Sequence, residues 1–243
     1  MSAADPRLPT HVVPHRYDMV LEPDIDQATF RGSVTIDVEL LEKTDEIVCN
    51  AIELQIDSAT IIVGEGSAAV EHVPDIRLDD DTERLHLTLP SDLPAGPARV
   101  QATFRGILND RLRGFYRSTY EDDDGNEHAI ATTQCQSTDA RRIFPCWDEP
   151  AWKASFAITL VVDPTHLAVS NSAEVADTID PDGRRRVTFA ETMRMSTYLV
   201  AFVVGPLEIT DPVDAGGVPV RVVHRPGKAA LTPFALDVAV HAL

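Results

Sequence analysis

Residues 33–40 alternate without exception: Val34, Ile36, Val38 and Leu40 are apolar, and Ser33, Thr35, Asp37 and Glu39 are polar. Successive side chains of an extended strand point to opposite faces, so a period of two makes one face apolar and the other wet. That is the pattern of a half-buried antiparallel strand; a helix would scatter the same residues around its circumference. The period returns at residues 52–56, 85–89, 100–104 and 156–162. Turn-forming clusters separate the runs. Asp79-Asp80-Asp81 and Leu93-Pro94-Ala95-Gly96-Pro97 are two, Asp122-Asp123-Asp124-Gly125-Asn126 is a hairpin tip, and Pro181-Asp182-Gly183 leads into residues 186–190, where Val187 and Phe189 face the core. Many short strands at this spacing predict an all-β fold, an antiparallel β-sandwich or saddle of open sheets.

The ends of the chain differ from this middle. Pro6, Pro9 and Pro14 make residues 1–16 an extended lead-in, and the first strand is expected over 17–21. Residues 197–204 are almost continuously apolar and stop at Gly205-Pro206, which predicts a strand covered on both faces and closes the main domain, 1–207. A further strand is expected at 218–223. Thr232 then stands as an N-cap with Pro233 at the first helical position. In the helix that follows, Asp237 and His241 are the only polar residues of 234–243, the pattern of an element buried inside a larger body. Residues 208–243 are therefore expected to be the truncated start of a second domain, a strand plus a helix.

Charge and cysteine usage exclude several functions. A formal charge of −18, from 39 acidic and 21 basic residues, lacks the basic footprint that nucleic acid or an anionic membrane surface requires. Cys49, Cys135 and Cys146 are odd in number and widely spaced, so they predict buried thiols rather than a disulfide framework or a zinc knuckle. With no leader-like N-terminus and no membrane-length apolar run, a cytoplasmic location is expected. No His-Glu-x-x-His occurs, the eight histidines stand singly, and Gly-x-Ser-x-Gly is absent. The chain by itself is expected to bind no zinc and to catalyse nothing.

Residues 132–153 pack polar, aromatic and proline signals more densely than any other stretch. A strand over 129–134 leads to paired amides at Gln134 and Gln136, then to Asp139, Arg141 and Arg142, and then to Phe144, Trp147 and Trp152. Pro145 and Pro150 make 144–150 a stiff, irregular segment. The aromatics are expected in the core, with Asp139, Asp148 and Glu149 pairing the arginines.

The stretch Thr-Gln-Cys-Gln-Ser-Thr-Asp-Ala-Arg-Arg-Ile-Phe-Pro-Cys-Trp-Asp-Glu-Pro resembles the N-terminal-domain signature of zinc aminopeptidases of the aminopeptidase N and leukotriene hydrolase type. Three collinear matches accompany it. They are Leu8-Pro9 through Tyr17-Asp18 with Pro23-Asp24, then Gly114-Phe115-Tyr116-Arg117-Ser118, and Met195-Ser196-Thr197-Tyr198-Leu199-Val200-Ala201-Phe202. The resemblance implies a β-rich domain that packs against a thermolysin-like zinc domain and lends one edge of the cleft in which peptide N-termini are bound. Carried over, Gln136 helps hold the substrate's α-amine, Gln134 lines the pocket for its first side chain, and the Gln136–Ser137 peptide bond is cis. Zinc belongs to the parent enzyme.

Two positions depart from the family pattern. Many relatives have glutamate at the position of Gln136, so a neutral hydrogen bond replaces an ion pair here. Cys49-Asn50-Ala51 stands where Leu-His-Ala is common. Two other readings remain open: a free-standing β-sandwich binding module with an acidic surface, and a cysteine hydrolase built on Cys146.

Overall fold

The computed structural model describes residues 7–64 and 66–243. The strands of the first half are β1 (Val12–Asp24), β2 (Thr29–Leu40), β3 (Thr44–Asn50), β4 (Leu54–Val63), β5 (Val70–His72), β6 (Asp75–Asp79), β7 (Arg84–Leu93) and β8 (Gly96–Ile107). They are followed by β9 (Gly114–Glu121), β10 (Glu127–Gln134), β11 (Ser155–Val162), β12 (Leu167–Ser170), β13 (Glu174–Ile179), β14 (Arg185–Phe189) and β15 (Phe202–Gly205). Last come β16 (Glu208–Ile209), β17 (Val213–Ala215), β18 (Val218–Val220), β19 (Val223–His224) and the helix α1 (Pro233–Ala242).

The all-β expectation holds. An eight-stranded sheet in the order β13-β14-β11-β1-β2-β8-β4-β5 is joined by a four-stranded sheet, β12-β15-β10-β9, and a three-stranded sheet, β3-β7-β6. The alternating face of β2 behaves as its period demands, with Val34, Ile36, Val38 and Leu40 all buried. One contiguous core joins all three sheets. Phe30 of β2, Phe115 of β9 and Phe202 of β15 meet in sequence, with ring centroids 5.3 and 4.9 Å apart, and so connect the large sheet to the four-stranded one.

Several local expectations are corrected. β1 begins at Val12, not at 17, because a register shift between Pro14 and Arg16 lets the strand carry a proline that has no N–H for the ladder. The strand expected at 52–56 starts at Leu54 and runs on to Val63. β11 pairs β1 in parallel, Tyr17 opposite Phe156, so the sheet is mixed rather than purely antiparallel; the long excursion of residues 25–154 supplies the crossover a parallel pair needs. The apolar run 197–204 is broken. Thr197–Leu199 is a 3-10 turn in which Leu199 and Val200 donate to the carbonyls of Ser196 and Thr197, and only Phe202–Gly205 is strand.

The C-terminal expectations change as well. Residues 218–223 split between β18 and β19, which join different two-stranded ribbons. Thr232 occupies the N-cap position, but its hydroxyl donates back to Ala229 O and caps nothing. No residue of α1 is buried, and Phe234 is 79 % exposed.

Candidate functional site

Two prolines keep residues 144–150 out of helix and ladder, so this segment's polar groups must find partners elsewhere. Its carbonyls and amides reach the sheets. Asn50, at the end of β3, exchanges two backbone hydrogen bonds with Cys146, at 2.8 and 3.0 Å. Trp147 N donates to the hydroxyl of Tyr17 at 3.1 Å, and the ring of Tyr17 stacks on Phe156 at 4.9 Å and meets Phe144 edge-on at 5.9 Å. Phe144 and Trp147 are core residues, as expected, and Trp152 packs against the same core.

Asp148 follows, its side chain 1 % exposed. An isolated buried carboxylate costs several kcal/mol unless it is paired and hydrogen-bonded. Here it is both. Its Oδ2 accepts from Arg141 N and Nε at 3.3 and 3.0 Å, its Oδ1 accepts from Thr197 Oγ1 at 2.6 Å, and its own N–H donates to Asn50 Oδ1 at 3.1 Å. Arg141 continues through Nη1 to Glu83 Oε2 at 2.8 Å. Two of the three carboxylates expected to pair the arginines do so, Asp139 with Arg142 and Asp148 with Arg141. Glu149 is not an arginine partner: its Oε1 accepts from Leu8 N at 2.7 Å, which ties the start of the described chain to this turn.

On this base sits the amide-bearing loop. Gln134 ends β10 opposite Gly114 in the β9–β10 hairpin, Cys135 is buried, and Gln136, Ser137 and Thr138 are exposed. The Gln136–Ser137 bond is cis, as the resemblance implied. Asp139 N donates to Cys135 O at 2.9 Å and closes the loop, after which a 3-10 turn, Ala140–Arg142, carries the two arginines. Among the described residues, the side chains of Gln134, Gln136, Ser137 and Thr138 have no hydrogen-bond partner within the protein. The structure thus brings the two amides to one exposed, anchored loop with their polar ends free.

Burial also decides against the cysteine alternative. Cys49, Cys135 and Cys146 are free and buried. Burial pushes the Cys49 thiol up to about 12 and the Cys146 thiol well above the ordinary range, so neither supplies a thiolate nucleophile at neutral pH. Among the described residues there is no group of three or more His, Cys, Asp or Glu arranged to hold a metal ion, and no helix is long and apolar enough to cross a membrane. A zinc ion therefore finds no fitting ligand set among the described residues.

Sequence reasoning missed the residues that hold the loop from below. Asn50, Thr197 and Tyr17 carry no local signal of their roles; Asn50 stood out only because Cys49-Asn50-Ala51 departs from a family pattern. Glu53 and Glu83 were also missed. Both have left-handed backbones, with φ of 57° and 54°, and both face the paired arginines.

These features define an all-β domain that displays two free amides on an exposed loop braced from below by arginines. The chain belongs to the peptidase M1 N-terminal domain family, whose model matches residues 13–199. It is 40 % identical over 240 residues to aminopeptidase M1 of Arabidopsis thaliana, covering 98 % of this chain and 27 % of the relative. It is 41 % identical over 235 residues to the puromycin-sensitive aminopeptidase of Caenorhabditis elegans, covering 96 % of this chain and 25 % of the relative. The match to endoplasmic reticulum aminopeptidase 1 of Homo sapiens is 36 % over 235 residues, with coverage of 96 % and 25 %. The chain spans about a quarter of the length of these curated relatives.

Proposed function

We propose that this chain is the N-terminal, non-catalytic part of a zinc-dependent aminopeptidase, and that its loop Gln134-Cys135-Gln136 forms one edge of the cleft that receives peptide N-termini. In this reading Gln136 accepts a hydrogen bond from the substrate's α-ammonium, and Gln134 lines the pocket for the first side chain. A thermolysin-like domain of the same protein supplies the zinc and the general base, and the chain alone hydrolyses nothing. Residues 1–207 are the β domain and 208–243 begin the next one. That boundary is supported by the change in burial: past Gly205, Ala215 and Thr232 are the buried residues among those described. A reducing, cytoplasmic setting accords with three unpaired thiols.

The observation that carries the reading is the pair of exposed amides without a partner among the described residues. A β domain with no catalytic group presents Gln134 and Gln136 to solvent on a loop whose flanks are packed and hydrogen-bonded, which is how a binding group is kept at a fixed position. A hydrogen bond to a charged group contributes about 1.5 to 3 kcal/mol, so Gln136→Ala in the full-length protein lowers kcat/KM for free-amine peptides by roughly ten- to a hundredfold. Gln136→Glu retains or raises activity, because it restores an ion pair with the ammonium. Steady-state kinetics on an aminoacyl reporter decide the matter. If Gln136→Ala cleaves such substrates as well as the parent, the loop is scaffold and the assignment is wrong.

A further inference from the structure

The loop that carries Gln136 is held at its two ends and nowhere between. Cys135 anchors one end by burial. The other end is Asp139, whose N–H donates to Cys135 O at 2.9 Å and whose side chain is fixed by Arg142. Arg142 Nε donates to Asp139 Oδ1 at 2.7 Å, the directional bond of the group. The rest of the guanidinium faces two carboxylates from elsewhere in the chain. Nη1 lies 2.7 Å from Glu53 Oε1, without hydrogen-bond alignment, and Nη2 lies 3.7 Å from Glu83 Oε1. The side chain is 9 % exposed.

The surroundings are shaped for this arginine. Gly114, with φ of +64°, pairs with Gln134, and a Cβ added there would stand 2.8 Å from Arg142 Cβ and 3.3 Å from Asp139 O. A side chain at 114 would occupy the space through which the arginine stem passes. Glu53 and Glu83 sit on separate turns, after β3 and before β7, so the guanidinium bridges those turns to the loop. A planar fork is needed to reach several carboxylates at once, and an ammonium at the end of a lysine is a single point charge.

We propose that Arg142 is a positioning residue for substrate recognition: by clamping Asp139 against the turns that bear Glu53 and Glu83, it sets where the Gln136 amide points. It touches no substrate. The inference rests on the assignment of Gln136 to the substrate's α-amine, and it adds that Arg142 acts on substrate only through that amide.

A double-mutant cycle in the full-length protein tests it, with kcat/KM on a free-amine aminoacyl reporter as the readout and urea unfolding as the control for folding. Arg142→Ala lowers kcat/KM roughly tenfold in the parent background and less than about twofold in the Gln136→Ala background. Arg142→Lys falls between Arg142→Ala and the parent. Asp139→Ala breaks the same clamp from the other side and shows the same dependence on Gln136, so the test survives if Arg142→Ala does not fold. If the losses from Arg142→Ala or Asp139→Ala are as large without the Gln136 amide as with it, the clamp is a general brace and the inference fails while the role of Gln136 stands. If Gln136→Ala has no effect by itself, the functional reading fails first.

Discussion

Asp148 is the charged residue sealed in the core among those described, and beside its bonds to nearby Arg141 it joins two distant parts of the chain. Thr197 and Asn50 lie 49 and 98 positions away from it, yet both contact it directly. Removing one member of a buried ion pair leaves the other desolvated and unpaired, at a cost of about 3 to 5 kcal/mol. Asp148→Ala should therefore lower the unfolding free energy by that amount, measured as a drop in the urea midpoint at unchanged slope. Asp148→Asn keeps the shape and the acceptor for Thr197 and should lose less. A loss under about 1 kcal/mol for the alanine variant would show that Arg141 finds full compensation in Glu83.

At the scale of elements, the helix α1 contrasts with β2. Both have an apolar composition that predicts burial, but only β2 finds a core to enter. α1 packs mainly on β17 and β18, and Leu231, Phe234, Val238, Val240 and Leu243 remain exposed. A small apolar patch of this kind contributes little to a domain that does not cover it. Deleting residues 229–243 is expected to leave the thermal midpoint of the remaining chain within about 2 °C, since about 1 kcal/mol corresponds to 2 to 4 °C at this size. Differential scanning calorimetry of the two forms gives the answer. A fall of about 10 °C would instead make α1 part of the β domain's structure and overturn the proposed boundary at 207.

For the whole molecule, the acidic surface sets how stability responds to pH. Hydrogen bonds from His128 and Asn126 hold the Asp122 carboxyl far below its ordinary range. Arg185, Arg186 and Arg105 lower Asp177, Asp180 and Asp57 in the same direction, and Ser155 and Arg16 lower Glu191. A carboxyl whose folded pKa is depressed binds its proton more readily when unfolded. Its stabilisation is therefore complete above the unfolded value of about 4 and is lost as pH falls through the folded values. Between pH 7 and about 5 the partial relief of the −18 charge works the other way, by reducing self-repulsion. The thermal midpoint should be level or slightly rising from pH 7 to about 5 and fall steeply below about 4. A midpoint that held constant down to about pH 2.5 would mean that these ion pairs contribute nothing to the fold.

How much of this was legible in the sequence depended on the range of the forces involved. Alternation in β2, β7 and β8, the turn at Pro181-Asp182-Gly183 and the hairpin tip at 122–126 depend on neighbours a few positions apart, and they appear as the sequence predicted. The irregular turn at 144–150 and the core aromatics Phe144 and Trp147 were legible for the same reason, since proline restricts its own neighbours and large rings demand burial. The exposed amides were marked by their residue types and by a family resemblance, but not their support. Tertiary structure alone decided that β11 lies parallel to β1, that Ser196 and Thr197 turn inward to Pro150 and Asp148 and so break an apolar run, and that Glu149 holds Leu8 rather than an arginine. It also decided that Gly114 leaves room for Arg142. Each of these is a choice among partners tens of residues apart. Periodicity fixes which way a side chain faces, but only packing selects what it meets.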